Sequence, residues 1–344
     1  MSNPCVSILL PTLNSRAFLG ERLDTIMAQT FPDWELVVSD SYSEDGGWEI
    51  IQAASKTDSR IRAEQAPRDG IYMNINRCLE RARGDYIYVA TSDDTMSPDC
   101  IEKLVTALKA NPSCGIAQCC LNAIDESGKV IPDWWRLTGL ARFIGEDYLR
   151  PHLRLAPYDG VLHCAMHTQY HSMTQILVRR FVFAATGPFP TQFGPGGDFC
   201  WGMKAGFLFD IVHVPEFLAT WRIHAAQASA AYRETASERM LMAKMVDEAL
   251  AARPPGSAAA LLPADAMRFP YRFEHYRLSY AEAHNRLGRI AVLLRMAVHD
   301  PSVALKALGL RFAGQRRGFD RIGYVRGLLR EFALEGHLVL GAAK

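Results

Sequence analysis

Short apolar strand patterns alternate with amphipathic helix patterns over the first 110 residues, and this alternation restricts the possible folds more than any other feature. The strand patterns are rich in β-branched and aromatic residues, whereas the helix patterns repeat apolar residues at spacings of three and four. The strands are predicted at residues 6–10, 34–38, 61–64 and 86–92, and the helices at residues 16–29, 48–54, 71–83 and 98–110. Such alternation predicts an α/β fold with a doubly wound, mostly parallel sheet and right-handed crossovers.

Polar residues follow the predicted strands at the places where parallel strands end together. These residues are Thr12, Asn14, Asp40, Asp69, Asp93 and Asp94. In an open α/β sheet the carboxyl ends of the strands meet at one edge, and ligands bind there. The sequence therefore predicts a binding site at this edge of the sheet.

Asp93 and Asp94 are adjacent carboxylates that directly follow an apolar strand pattern. Two such acids repel each other unless a cation or a hydroxyl-rich ligand lies between them. Hard oxygen ligands suit Mg²⁺ or Mn²⁺, which usually binds together with a phosphate group. The alternative is that the two acids cap the next helix, because Ser97 and Pro98 are typical helix-start residues. The residues alone leave both interpretations open.

The composition excludes several classes of protein. The net charge of +1 gives no overall attraction to nucleic acid, so no nucleic-acid partner is predicted. Eight cysteines without a Cys-x-x-Cys pair predict reduced, buried thiols in a cytoplasmic protein. No secretory signal pattern and no run of 18 uninterrupted apolar residues is visible. We therefore expect a protein of the cytoplasm, or one that is peripheral on the inner face of the membrane.

Five motifs occur in order in the first 94 residues. They read VSILLPTLN at 6–14, QTFPDWELVV at 29–38, SDSYSEDG at 39–46, DGIY followed by RGDYI within 69–87, and SDD at 92–94. The series resembles the family 2 glycosyltransferases, which are inverting enzymes with the GT-A nucleotide-sugar fold, and the resemblance extends over residues 4–225. It implies a Rossmann-like sheet with a C-terminal helical extension.

The resemblance also implies a division of the chain. A GT-A catalytic domain is expected over residues 1–227, with a nucleotide-sugar half at about 1–112 and an acceptor half at about 113–227. The chain becomes Ala-rich and helical in pattern after residue 228, which predicts an α-helical C-terminal region over residues 228–344.

Specific roles follow from the resemblance. It implies that Asp94 and His224 ligate Mn²⁺ or Mg²⁺, which would neutralise the charge growing on a diphosphate leaving group. It implies that Asp93 binds the ribose or shares the metal's shell, and that Asp40 accepts a hydrogen bond from the nucleobase. The other implied nucleotide-sugar-binding residues are Pro11, Thr12, Asn14, Asp69, Gly70, Asn76 and Arg222.

Structural roles are the alternatives at several of these positions. Thr12, Asn14 and Asp40 are also typical turn residues, a lone His is often structural, and Arg222 is a candidate for a surface ion pair. Two positions depart from the family pattern, since Ile75 replaces an Arg common in the family and Tyr42 replaces a small residue.

Inversion requires a general base on the face of the sugar opposite the leaving group. The motif FGPGGDFCW at residues 193–201 resembles the family element in which an acid begins a helix under the acceptor. The resemblance implies that Asp198 is this base, and the alternative is a simple helix N-cap. The partners implied are a nucleotide-diphosphate sugar, with UDP as the leading nucleotide, and a glycan or lipid-linked acceptor.

The predicted function is metal-dependent, inverting transfer of one sugar in bacterial surface polysaccharide synthesis. The alternative of a different class is a non-catalytic nucleotide-sugar-binding or scaffold protein with the same fold. Residues 306–330 carry seven basic residues against one acid, which indicates either peripheral membrane contact or a helix packed on the catalytic domain. His163, His167 and His171 recur every four residues, and we predict a loop or strand there and not a dedicated metal site.

Overall fold

The computed structural model describes residues 3–166, 170–225, 227, 235–309 and 319–341. Its strands are β1 (Val6–Thr12), β2 (Trp34–Asp40), β3 (Ile61–Gln65), β4 (Tyr86–Val89), β5 (Cys114–Ile124), β6 (His152–Arg154), β7 (Ile176–Arg179), β8 (Asp210–Arg222) and β9 (Leu338–Leu340). Its first eight α-helices are α1 (Arg16–Met27), α2 (Gly47–Thr57), α3 (Ile71–Arg81), α4 (Cys100–Ala110), α5 (Gly139–Ile144), α6 (Tyr158–Met166), α7 (Arg180–Thr186) and α8 (Gly197–Leu208). Five more follow, namely α9 (Ala236–Ala251), α10 (Ala264–Glu282), α11 (Arg286–His299), α12 (Pro301–Gly309) and α13 (Arg321–Glu331).

The strands form one sheet in the order β3-β2-β1-β4-β7-β5-β8-β6-β9. The pairs β1–β2, β1–β4, β2–β3 and β5–β8 are parallel, whereas β7 and β6 run antiparallel to their neighbours. Most strands therefore point the same way, which confirms the predicted mostly parallel α/β sheet. The carboxyl ends of β1, β2, β4 and β8 consequently lie at one edge.

Helices cover both faces of the sheet, and the side-chain alternation of β1 shows why. Ile8 and Leu10 join a core with α1, α2 and α4, whereas Leu9 joins the core on the other face with α3 and α8. Because neighbouring side chains point to opposite faces, a strand covered on both sides must be apolar throughout. The apolar run Ile8-Leu9-Leu10 in β1 is thus explained, because helices cover both faces of this strand.

The fourth strand is shorter than predicted, since β4 ends at Val89 and residues 90–94 leave the sheet as a loop. Its pairing with β7 extends only from Tyr86 to Tyr88. The next helix, α4, begins at Cys100 and Asp99 precedes it. Asp93 and Asp94 are therefore not the cap of α4, and the helix-cap alternative is wrong.

The region after residue 235 is helical over α9–α13, as the sequence pattern predicts. It differs from a purely helical extension at its end, where β9 pairs antiparallel with β6 and so joins the main sheet. Within α13, Val325, Leu328 and Leu329 are buried in the core that also contains α6 and α8. In the part of the chain that the structure describes, no helix is both long enough and apolar enough to cross a membrane.

The histidine series has a different local structure from the one predicted. His163 lies in α6, a helix where we predict a loop or strand, and its ring stacks on Tyr170 and contacts Phe199. His171 lies beyond the helix, and His167 falls outside the described residues. The shortness of α6 explains the error, because nine residues give too few turns for the helical period to be visible in the sequence.

Candidate active site

A hydrogen-bonded cluster around Asp40 joins the ends of β1 and β2. Asp40 is fully buried, and its Oδ1 accepts a hydrogen bond from Thr12 Oγ1 at 2.8 Å. Its Oδ2 accepts from the Ser43 backbone N–H at 2.9 Å and from Gln65 Nε2 at 3.2 Å. We call Thr12, Asp40, Ser43 and Gln65 the Asp40 cluster. Pro11 lies in β1 immediately before Thr12, so three of the predicted residues meet here.

Asn14 fixes the loop above this cluster. Its φ of 48° lies in the left-handed region, which Asn tolerates better than most residues. Its N–H donates to Ser43 Oγ and its Oδ1 accepts from the Glu44 N–H, both at 2.9 Å. Tyr42 also has a positive φ, 50°, and its side chain is exposed at the same loop. Asn14 is therefore a turn residue, which was the structural alternative for this position. It contacts the Asp40 cluster through Ser43.

Asp93, Asp94, Arg222 and His224 come together where the loop after β4 meets the end of β8, and we call these four residues the acid corner. His224 Nε2 lies 3.0 Å from Asp93 Oδ2, and the Asp93 side chain is 27% exposed. The structure thus brings together two acids, a cation and an imidazole that the sequence separates by about 130 residues.

Asp94 lies beneath Asp93 and is almost completely buried. Its Oδ1 accepts from the Arg222 backbone N–H at 2.9 Å, and its Oδ2 accepts from Thr91 Oγ1 and, at 3.0 Å, from Ser172 Oγ. Burial, together with the charge of the Asp93 carboxylate, raises the pKa of Asp94 to about 6. A nearby cation would favour the ionised form of both acids, so the electrostatics of the acid corner suit a divalent ion.

Asp93 and His224 are the two donors of the acid corner that could contact a metal ion. A carboxylate oxygen of Asp93 and an imidazole nitrogen of His224 are partly accessible and adjacent, and both are acceptable ligands for Mn²⁺. Among the described residues, no group of three or more His, Cys, Asp or Glu side chains is arranged to hold a metal. Two protein ligands are too few for a divalent cation, so a cation here would need the rest of its ligands from a bound phosphate group.

Arg222 holds the acid corner together from inside the protein. Its side chain is 1% exposed, and it pairs with Glu21 at 2.6 Å. Its Nε donates to the Asp93 carbonyl oxygen at 2.8 Å, and its Nη1 donates to the carbonyl oxygens of Asp125 and Glu126. Arg222 is consequently a buried residue that stabilises the loop carrying Asp93 and Asp94. Of its contacts, only the ion pair with half-exposed Glu21 matches the alternative of a surface ion pair.

Arg222→Lys is expected to lower the free energy of unfolding by about 3 kcal/mol, because a lysine cannot replace the several directed bonds of a buried guanidinium. Urea unfolding at pH 7 measures this loss. Glu21→Gln is the matched control, with an expected loss below about 1 kcal/mol because Glu21 is half exposed. Equal losses in the two variants would contradict the supporting role of Arg222.

Three further predicted residues lie at or near α3. Gly70 precedes α3 with a φ of 97°, a conformation that favours glycine, and Asp69 pairs with Arg77. Asn76 is buried, and its amide exchanges hydrogen bonds of 2.8 and 3.0 Å with the backbone of Phe189. The structure joins Asn76 to the loop that leads toward α8 and not to the Asp40 cluster. The role of these three residues in nucleotide-sugar binding stays a prediction.

Asp198 is the second residue of α8 and is partly buried. The residue before the helix is Gly196, so Asp198 is not the N-cap residue, but its Oδ1 accepts a hydrogen bond from the Phe199 backbone N–H at 2.7 Å. Tyr72 lies against the Asp198 carboxyl, and the Tyr170 hydroxyl donates to the Asp198 carbonyl oxygen at 2.9 Å. Burial raises the pKa of Asp198 above its ordinary value, although the hydrogen bond from Tyr72 acts in the opposite direction. A carboxyl with a raised pKa in a polar niche suits proton transfer.

The close approach of α8 to α3 depends on Gly197. A Cβ at this position would lie 2.3 Å from the Pro190 carbonyl oxygen and 2.6 Å from the Tyr72 ring. Any larger residue would therefore push the start of α8 away from Tyr72. The Gly-Gly pair before Asp198 is explained by this packing.

Residues 170–172 link the acid corner to Asp198. Tyr170 contacts Asp198, and Ser172, two residues later, donates to Asp94. Between them, the His171 ring makes edge contacts with Trp134 at 4.7 Å and Trp221 at 4.2 Å, and all three side chains are partly exposed. Burial lowers the pKa of His171 to about 4, which keeps the imidazole neutral. Sequence patterns do not mark this link, because its contacts join distant loops.

Comparison with known proteins relates the chain to glycosyltransferases. The family model described as Glycosyl transferase family 2 matches residues 7–171, which include the Asp40 cluster and both carboxylates of the acid corner. TuaG of Bacillus subtilis (strain 168), named as a glycosyltransferase of teichuronic acid biosynthesis, is 34% identical over 101 residues, 29% of this chain and 40% of that protein. Residues 7–171, just under half of the chain, thus match glycosyl transferase family 2. Its match spans less than half the length of each of the first three curated relatives.

Solved structures confirm the fold. S. aureus TarS 1-349 in complex with UDP-GlcNAc has a TM-score of 0.54 at 15% identity, covering 96% of this chain and 89% of that chain. Mannosyltransferase PcManGT from Pyrobaculum calidifontis, in complex with GDP-Man and Mn²⁺, has a TM-score of 0.52 at 19% identity, covering 97% and 85%. The architecture is therefore GT-A, as the sequence motifs predict.

Proposed function

We propose that this protein transfers one sugar, with inversion, from a nucleotide-diphosphate sugar to a hydroxyl group of a glycan or lipid-linked acceptor. The observation that carries the proposal is the acid corner, where the partly exposed Asp93 contacts the mostly buried His224 beside the buried Asp94. It lies at the edge of the sheet that the Asp40 cluster also occupies. A nucleoside at the Asp40 cluster and a diphosphate at the acid corner would use both groups of residues.

The proposed cation is Mn²⁺ or Mg²⁺, held by Asp94 and His224 with Asp93 beside them. Asp94 accepts three hydrogen bonds from the protein, so a carboxylate with four acceptor positions keeps one for a ligand. When bound, the ion would act as a Lewis acid on the diphosphate leaving group. Arg222 supports the acids through the Asp93 carbonyl oxygen and its own N–H, so its proposed effect on the nucleotide-sugar is indirect.

The proposed general base is Asp198. Its role is to remove the proton of the attacking acceptor hydroxyl, which requires the ionised carboxylate. Tyr72 and Tyr170 contact Asp198 at the start of α8, and Ser172, two residues after Tyr170, donates to Asp94. This arrangement supports a single transfer step at one site.

The donor is proposed to be a UDP-sugar, and the pathway to be synthesis of a bacterial surface polysaccharide. TarS is solved with UDP-GlcNAc, PcManGT with GDP-Man, and TuaG is named for teichuronic acid biosynthesis. A nucleotide-sugar donor would be met in the cytoplasm or at the inner face of the membrane. The division into a catalytic part over residues 1–227 and a C-terminal part over residues 228–344 is proposed with it, as is membrane contact through residues 306–330.

The proposed function can be tested by measuring thermal stabilisation and hydrolysis with a panel of UDP- and GDP-sugars, each with and without Mn²⁺. We expect one donor to raise the melting temperature only when Mn²⁺ is present, and to be hydrolysed slowly without an acceptor. Stabilisation by a donor without hydrolysis or transfer to any glycan would instead favour the non-catalytic binding protein. No stabilisation by any nucleotide-sugar would contradict both functions.

Trp134 is proposed to support the sugar ring of the acceptor, because its partly exposed ring lies beside His171 and Trp221 next to the acid corner. Trp134→Ala is expected to raise the acceptor KM about tenfold, with donor hydrolysis unchanged. Leu137→Ala, at an exposed position in the same segment, is the control. An unchanged acceptor KM in Trp134→Ala would contradict the assignment.

A further inference from the structure

Helix α11 presents an apolar surface to solvent. Leu287, Leu294 and Val298 are 78%, 61% and 73% exposed, and Ile290 between them is 44% exposed. At 100° per residue these four side chains form one stripe, directly opposite Met296, which is buried against α10. Single exposed apolar residues are common, but a continuous stripe of four indicates a surface that contacts something.

Basic side chains border the stripe on both sides. Arg286 lies on one flank and Arg295 on the other, whereas Arg289 lies further round the helix toward Met296, and the helix contains no Asp or Glu. The Arg289 guanidinium lies 5.4 Å from the centre of the Tyr280 ring. An apolar stripe between arginines matches the interface of a bilayer, where acyl chains meet lipid phosphates.

A cleft at the start of α11 combines both kinds of surface. Its volume is about 550 Å³, and it is lined by the cations Arg286 and Arg289, by Tyr280 and His284, and by the apolar Ile290 and Leu293. The guanidinium groups suit a phosphate, and the neighbouring apolar residues suit the first carbons of an acyl chain.

We propose that α11 binds the protein to an anionic lipid membrane, with Leu287, Ile290, Leu294 and Val298 among the acyl chains and a lipid phosphate at Arg286 and Arg289. A second copy of the chain fits the same surface less well. A symmetric contact through α11 would bring arginines near arginines, with no acid of α11 to pair with them. Anionic phosphates complement these charges directly.

This surface is distinct from the donor site and from residues 306–330, and its role is independent of the proposed reaction. Sedimentation of the full chain with vesicles tests it. We compare vesicles of phosphatidylcholine alone with vesicles that also contain phosphatidylglycerol, and we expect the wild-type protein to bind the latter more strongly, with weaker binding at higher salt.

Leu287→Gln/Leu294→Gln is expected to lower the partition coefficient about tenfold on vesicles that contain phosphatidylglycerol. Leu261→Gln, at a position that is 77% exposed outside α11, is the matched control and should bind like the wild type. Arg286→Gln/Arg289→Gln should lower binding only on the anionic vesicles, with Arg150→Gln as its control. Donor hydrolysis should be the same in all of these variants.

Three results would overturn the proposal. The first is a wild-type protein that stays in the supernatant with both kinds of vesicle, and the second is Leu287→Gln/Leu294→Gln binding as strongly as the wild type. The third is a concentration-dependent dimer in light scattering that Leu287→Gln/Leu294→Gln abolishes without any vesicle binding. That result would assign the stripe to a second copy of the chain.

Discussion

Asp198→Asn is expected to lower the rate of sugar transfer by a factor of about 10²–10⁴ while donor binding is retained. The amide has nearly the shape of the carboxyl group, so the contacts with Tyr72 and Tyr170 at the start of α8 are preserved. It cannot accept the proton of an acceptor hydroxyl, however. Single-turnover transfer with the donor found in the nucleotide-sugar panel measures the loss, and Mn²⁺-dependent thermal stabilisation by that donor measures binding.

The control for Asp198→Asn is Glu248→Gln, which removes a carboxylate that pairs at 2.8 Å with Lys204 on the same helix α8. Its effect on transfer should stay below about threefold, because a partly exposed pair contributes little. Transfer by Asp198→Asn at the wild-type rate would show that another group is the base. Loss of donor binding in the same variant would show that Asp198 contributes to the fold of the site instead.

The pH dependence has a definite direction. Burial raises the pKa of Asp198, and only the ionised form is a base, so transfer should fall as the pH is lowered through this raised pKa. The same shift means that protonation is easier in the folded than in the unfolded protein. Ionisation of Asp198 therefore slightly lowers the free energy of unfolding, and this loss of stability appears as the pH rises. The residual transfer activity of Asp198→Asn should not show this decrease at low pH.

Local periodicity made the first half of the fold predictable. The strands β1 and β2 and the helices α1 to α4 carry recognisable apolar patterns, and parallel packing then requires the ends of the strands to meet. Thr12 and Asp40 come together for this reason alone, since β1 and β2 pair in register from Val6 with Trp34 to Thr12 with Asp40. The Asp40 cluster follows from the order of the elements.

The supports of the site were not predictable in the same way. Ser172 lies 78 residues from Asp94, and Glu21 lies 201 residues from Arg222, so no local pattern connects them. Each contact depends on the packing of segments that are far apart in the chain. Asn76 is another such case, because its amide bonds to the backbone of Phe189, 113 residues away, and its predicted role in nucleotide-sugar binding stays a prediction.

The division of roles between Asp93 and Asp94 needs the structure as well as the sequence. Family resemblance assigns the metal to Asp94, yet Asp93 is the more exposed acid and the one in contact with His224. The two observations are compatible if a cation displaces the contact between Asp93 and His224 and uses the acceptor position that Asp94 keeps. They also define an experiment, because the two acids are expected to respond differently to removal of charge.

Asp94→Asn is expected to weaken Mn²⁺-dependent donor binding by a factor of at least about 100, because the neutral amide is a poor ligand for a hard cation. Titration calorimetry with Mn²⁺ and the donor measures this loss. Ser172→Ala is the matched control, since it removes the 3.0 Å hydrogen bond to Asp94 Oδ2 and keeps the carboxylate, and it should cost less than about tenfold. If Asp94→Asn binds Mn²⁺ like the wild type and Asp93→Asn does not, the cation belongs to Asp93 and His224, and Asp94 only supports the loop. If both variants lose Mn²⁺-dependent binding while Ser172→Ala keeps it, the two carboxylates act together on one ion.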